Sequence, residues 1–183
     1  MKAKYFFLIA LMLLGNLMLQ AQIYMGKTCE INFYSKGPIE DIDAVNKTAK
    51  PILNTVNGEI VLKATIKGFE FSKRLMEEHF NEKYMESDKY PYATFSGKIN
   101  EPIDYKKDGV YKVTVTGKLT MHGVEKERTI DGTVTVKAGE VIIDSKFDVA
   151  LKDHKIEIPT LVAQNIAEVV VVTIKSTLTE YKK

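Results

Sequence analysis

Residues that carry covalent or metal chemistry are scarce in this chain. Cys29 is the only cysteine among 183 residues, so no intrachain disulfide can form. A redox or covalent role would need an activating neighbour, and the local sequence holds none, which leaves a small buried strand residue. The histidines number three, His79, His122 and His154. None stands three or four residues from another histidine or a cysteine, so zinc-type spacing is missing. His79 follows Glu78, yet the His-Glu-x-x-His pattern is not present. A Gly-x-Ser-x-Gly elbow and a phosphate-cradling glycine loop are missing too, which removes the common hydrolase and nucleotide-binding signatures. Internal repeats and Pro/Ser-rich linkers are also missing, so no domain boundary is visible.

Charge of one sign is lacking as well. The chain has 26 Lys+Arg against 24 Asp+Glu. Lys2 and Lys4 supply that excess, so residues 22–183 are formally neutral. Nothing in that balance points to nucleic acid or to an acidic membrane surface.

The N-terminus is different in kind. Lys2 and Lys4 precede an apolar run from Tyr5 to Leu19, and Leu19-Gln20-Ala21 places a small residue at a cleavage position. The run is short for a membrane span, which needs about 20 apolar residues. Residues 1–21 read as a secretory signal peptide, with an uncleaved anchor as the alternative. Residues 22–183 are then one exported domain, expected in the periplasm.

Period-two alternation dominates that domain, the mark of strands with one buried face. Ile31 and Phe33 begin it. Ile60, Leu62, Ala64 and Ile66 follow the hairpin signal Asn57-Gly58. Ala93, Phe95, Gly97 and Ile99 come next, then Val113, Val115, Gly117, Leu119 and Met121. After His122-Gly123 stand Ile130, Gly132, Val134 and Val136. Ala138-Gly139 turns the chain into Val141, Ile143, Ser145, Phe147 and Val149, and Val170, Val172, Ile174 and Leu178 close the series. With a short strand near Ile52–Asn54 this predicts an all-β chain of eight antiparallel strands in meander order. Several strands are long: twelve residues span about 40 Å, or about 30 Å of barrel height once tilted. An eight-stranded interior is either filled by side chains or holds one small ligand.

One segment interrupts the strands. Phe69–Gly97 reads as two aromatics, one amphipathic helix, a polar loop with Pro91, and a fresh strand. Ser72 is the expected N-cap, predicting a short helix over Ser72–Phe80. Leu75, Met76, His79 and Phe80 share its apolar face. The helix either seals one barrel end or gates a ligand, with Met76, Phe80 and Met85 in contact.

Other candidate chemistry has plain alternatives. His122 occupies a turn. Asp153-His154 is either an oriented general base or a solvated loop pair. Glu40, Asp41 and Asp43 miss the calcium-loop spacing and read as an acidic turn. Asn46-Lys47-Thr48 matches a glycosylation sequon, which is a common coincidence. An exported β-chain with long alternating strands and no nucleophile–base set reads as a binder that works by burial.

Two longer motifs carry a resemblance. Gly117-Lys118-Leu119-Thr120-Met121-His122-Gly123-Val124 with Lys126, and Tyr90-Pro91-Tyr92-Ala93-Thr94-Phe95 with Gly97, resemble signatures of the YceI-like family. Leu75–Glu82 and Asp153–Pro159 resemble its Bacteroidetes-type members. The resemblance spans about Ile31 to Leu178. It implies a lipocalin-like, extended eight-stranded antiparallel barrel that binds a polyisoprenoid or similar amphiphile, with no catalytic residue to carry over. Thr28-Cys29 stand where many members have His-Ser, so no head-group contact carries over either.

The expected lumen is the alternating set Ile60, Leu62, Ile66, Phe95, Ile99, Val113, Val115, Leu119, Phe147, Val149, Val170, Val172 and Ile174. Phe69, Phe71, Met76, Phe80 and Met121 are the expected rim and lid. The partner implied is a polyisoprenoid or quinone-type lipid, stored or transported without turnover. No cofactor, metal or nucleic acid is expected; transient membrane contact and a monomer or dimer are. The rival readings are a side-chain-filled structural or interaction barrel, motivated by the two-sided apolar stretch Val169–Val172, and an enzyme using His122 or Asp153/His154.

Overall fold

Alternation along the sequence becomes ten antiparallel strands. The computed structural model describes residues 22–37, 40–158 and 167–182. The expected signal segment, residues 1–21, and Pro159 lie outside the described residues. The strands are β1 (Ile23–Ser35), β2 (Ile42–Asn46), β3 (Ile52–Asn54), β4 (Glu59–Thr65), β5 (Phe69–Phe71), β6 (Tyr92–Ile99), β7 (Gly109–Met121), β8 (Val124–Lys137), β9 (Glu140–Ala150) and β10 (Val169–Glu180). One short helix, α1 (Arg74–His79), lies between β5 and β6.

Strands β6 to β10 form a meander. β4 joins β6, β3 joins β4, and β1 pairs with both β3 and β10, closing a ring of eight strands. The other two strands lie outside that ring. β2 pairs with the second half of β1, and β5 pairs only with β2. Closure leaves no free edge in the ring, which removes the main aggregation hazard of long strands.

Each long hairpin has its turn written in sequence. Met121 faces Val124, and the two residues between them, His122 and Gly123, have φ of 51° and 72°. Ala138-Gly139 repeats this between Lys137 and Glu140 with φ of 51° and 79°. Such left-handed pairs match the twist of the strands they join. β1 contains a bulge between Gly26 and Thr28. The extra residue shifts its inward set from Tyr24 to Cys29, Ile31, Phe33 and Ser35, which then face the even-numbered inner residues of β10.

The interior differs at its two ends. One end is solid: Tyr24, Leu53, Ile99, Val113, Val134, Val136, Val141 and Leu178 pack into one cluster. Ile103 and Tyr105, from the β6–β7 loop, pack against that cluster, and burial pushes the Tyr105 hydroxyl up to about 12. The opposite end is hollow.

Candidate ligand-binding cavity

The hollow end is roofed by the Phe69–Gly97 segment. Because β5 pairs only with β2, the chain leaves the barrel wall after Ile66 and returns at Tyr92 opposite Thr65. Between these points α1 and a wider turn, Phe80–Tyr84, bring Met76, His79, Phe80, Tyr84 and Met85 over the opening. Phe80 is the hub of the roof. Its ring lies 5.4 Å from Phe33, 5.7 Å from Phe69 and 5.0 Å from Phe71, all within the range of favourable aromatic pairs.

The helix is shorter than the expected Ser72–Phe80, and Ser72 does not cap it. The amides of Met76 and Glu77 donate to the Lys73 carbonyl at 3.0 and 3.2 Å, so Lys73 is the cap residue. The carboxylate of Glu77 reaches back to accept the Phe71 amide at 3.3 Å. At the other end the Met85 amide donates to the Phe80 carbonyl, the five-residue reach of a π-turn. Leu75 does not join the apolar face; it is 61% exposed. The inward stripe holds Met76, His79 and Phe80 at i, i+3 and i+4, and Leu75 falls about 100° away from it.

Beneath this roof lies a cavity of about 370 Å³. Eleven of the thirteen expected lumen residues line it: Ile60, Leu62, Ile66, Phe95, Val115, Leu119, Phe147, Val149, Val170, Val172 and Ile174. All five expected rim residues, Phe69, Phe71, Met76, Phe80 and Met121, line it as well. Ile99 and Val113 also face inward, but they belong to the solid end and do not reach the cavity. Sequence reasoning left out Ile31, Phe33, Ile130 and Ile143, although the same period-two pattern marks them. Pro51 and Ile156 also line the wall, and no periodicity marks either. No carboxylate, lysine or arginine lines the cavity among the described residues. Its polar lining side chains are Ser35, Thr94, Ser145, Ser176, Tyr84 and His79.

The floor is built on two glycines. Gly97 and Gly117 face each other across β6 and β7. A Cβ on either would stand 2.8 or 2.9 Å from the Phe95 ring, which lies across both. Phe95 contacts the solid cluster on one side and lines the cavity on the other, as do Val115 and Ile143.

Histidines tie the roof together from outside the lumen. His122 in the β7–β8 turn sits between two acceptors: its Nδ1 donates to the His154 carbonyl at 3.0 Å, and Nε2 stands 2.9 Å from the Glu86 carboxylate. Tyr90 packs edge-on against the same ring at 4.7 Å. His154 is fully buried in the short 3₁₀ turn Leu151–His154. Its Nδ1 donates to the Val124 carbonyl at 3.1 Å, so its hydrogen bond goes to backbone and not to Asp153, while Nε2 has no partner. Burial holds the His154 pKa below the usual histidine value, outweighing the Val124 and Met121 carbonyls that favour the charged ring. The arrangement links three loops and presents no nucleophile.

Remaining candidates are occupied structurally. Cys29 is buried on the inner face of β1, and burial raises its thiol pKa. Asp41 accepts the Tyr34 hydroxyl at 2.6 Å, and Glu40 pairs with Lys73. Among the described residues no group of three His, Cys, Asp or Glu is gathered as a metal site would require.

Solved structures of the same shape exist. A polyisoprenoid-binding domain from Saccharophagus degradans, implicated in plant cell wall breakdown, superposes with a TM-score of 0.74 at 17% identity, covering 88% of this chain and 100% of that one. BcnA of Burkholderia cenocepacia gives 0.69 at 16% identity, covering 81% and 95%. The YceI protein of Campylobacter jejuni gives 0.53 at 16% identity, covering 82% of each chain. No curated protein sequence matches this chain. The YceI-like domain model matches residues 27–178, from the bulge in β1 to Leu178 near the end of β10, and the chain belongs to the YceI-like family.

Proposed function

We propose that this protein is an exported, periplasmic binder that holds a polyisoprenoid or isoprenoid-quinone lipid in the hollow end of its barrel, storing or carrying it without turnover. The observation that carries the reading is a cavity of about 370 Å³ with a largely apolar wall and no carboxylate, lysine or arginine among its described lining residues. Such a wall rewards burial of hydrocarbon and offers nothing to a charged solute. At about 0.8 kcal/mol per CH₂, one five-carbon unit contributes at most about 4 kcal/mol. About three buried units then reach micromolar affinity, about −8 kcal/mol, after the costs of association. The polyisoprenoid-binding domain of the same fold supports this ligand class. The filled-barrel alternative fits the solid end only.

The test is to purify the full chain from a membrane-containing extract and analyse it by native mass spectrometry and solvent extraction. A co-purifying isoprenoid, or uptake of an added polyprenyl quinone, is expected. The absence of both would refute the reading.

A further inference from the structure

The hollow end stops part-way down the barrel. Ile60, Phe95, Val115 and Ile143 line the cavity and also pack into the solid cluster beneath, so they form a floor, not a constriction in a through-going tunnel. Phe95 is its central element. Its ring is seated across Gly97 and Gly117, where any side chain on either strand would displace it. From Ile143 at the floor to Ala150, just before Leu151 at the roof, β9 runs about 23 Å, or about 18 Å along the axis of a tilted barrel.

We infer that Phe95 on its glycine pair is a chain-length stop, which makes this protein selective for the first few isoprene units of its ligand. The inference rests on the isoprenoid reading above and specifies it. The size of the lumen sets the length. An apolar cavity of about 150 Å³ accepts a six-carbon ring, so the 370 Å³ here takes about fifteen carbons, close to three isoprene units. A chain entering tail-first meets the Phe95 ring, and further units remain at the roof among Phe71, Met76 and Phe80 or outside it. Deleting the Phe95 ring frees room for about six carbons, roughly one more unit. Adding a ring at Val115 raises the floor by a similar amount.

Competition among the neutral prenols geraniol, farnesol, geranylgeraniol and solanesol, read by native mass spectrometry of the full chain, tests this. The wild type should gain about tenfold or more from geraniol to farnesol and less than about threefold beyond it. Phe95→Ala should move the large gain one step, to farnesol against geranylgeraniol. Val115→Phe should abolish the farnesol advantage over geraniol. If Phe95→Ala fails to fold, Phe95→Leu with Val115→Phe still gives shifts of opposite sign. Binding with one unchanged length profile in wild type and variants overturns the stop and leaves the lipid reading standing. No uptake of any prenol by the wild type overturns both.

Discussion

His154 shows how one buried side chain sets a pH response. Its Nδ1 is spent on the Val124 carbonyl and Nε2 makes no hydrogen bond, so a second proton would go on Nε2 in a buried setting where the Val124 and Met121 carbonyls offset the desolvation only in part. Burial therefore depresses the folded pKa, while the unfolded ring titrates near 6.5. The sign follows: above about pH 6.5 both states are neutral and the contribution is fully present. As pH falls below that value the unfolded chain binds a proton that the native state refuses, and stability declines until the folded ring titrates in turn. His154→Asn keeps a donor near Val124 and removes the titrating nitrogen. Its stability at neutral pH should fall by about 1–2 kcal/mol from lost packing, while urea denaturation between pH 7 and 5 should show a flatter decline than wild type. A decline as steep as wild type would assign the acid response elsewhere. The sequence offered His154 beside Asp153 as a possible oriented base; what it could not display is that the partner is a carbonyl thirty residues away.

The roof is held by side chains more than by its own backbone. α1 spans only six residues, and its N-terminus has no side-chain cap. A helix this short is unstable alone, so its position depends on tertiary packing. Phe80 supplies that packing through three rings on β1 and β5. Phe80→Ala should cost about 2 kcal/mol, below the 3–5 of a fully buried ring because Phe80 is half-buried. Hydrogen exchange should locate the loss. The amides of Met76, Glu77, Met85 and Ser87, all bonded within the roof, should exchange faster, while those of β7 and β8 stay protected. Uniform acceleration through the barrel would show that the roof is not a separate unit. The amphipathic pattern announced the helix and its inward Met76, His79 and Phe80. Ser72 carries the cap signature, but the helix starts one residue later at the Lys73 carbonyl, and the Glu77 carboxylate instead ties α1 back to the Phe71 amide of β5.

Across the whole molecule, alternation specified which side of each strand faces in, and hence nearly all of the lumen. It could not show how far the lumen extends. Val113 and Val115 are identical in pattern, yet Val113 is packed into the solid end and Val115 touches empty space. The difference comes from strands distant in sequence: Tyr24, Leu53, Val134 and Leu178 converge around Val113, whereas roof segments enclose the other half at a distance. Closure by β1 against β10 is equally non-local, joining the two ends of the domain. This asymmetry has an energetic signature. Leu178, fully buried in the solid cluster, loses contacts on every side when truncated, so Leu178→Ala should cost about 3–5 kcal/mol. Leu119 is also buried but faces the cavity, so part of its surface has no partner atoms to lose. Leu119→Ala in the ligand-free protein should cost about 2 kcal/mol less than Leu178→Ala by urea denaturation. Saturating wild type with farnesol should raise its stability by mass action. Leu119→Ala, having lost wall contacts with the ligand, should gain less, and Leu178→Ala should gain as much as wild type. Equal losses for the two leucines without ligand would mean that the hollow end collapses in solution onto its own side chains, leaving no room for a lipid.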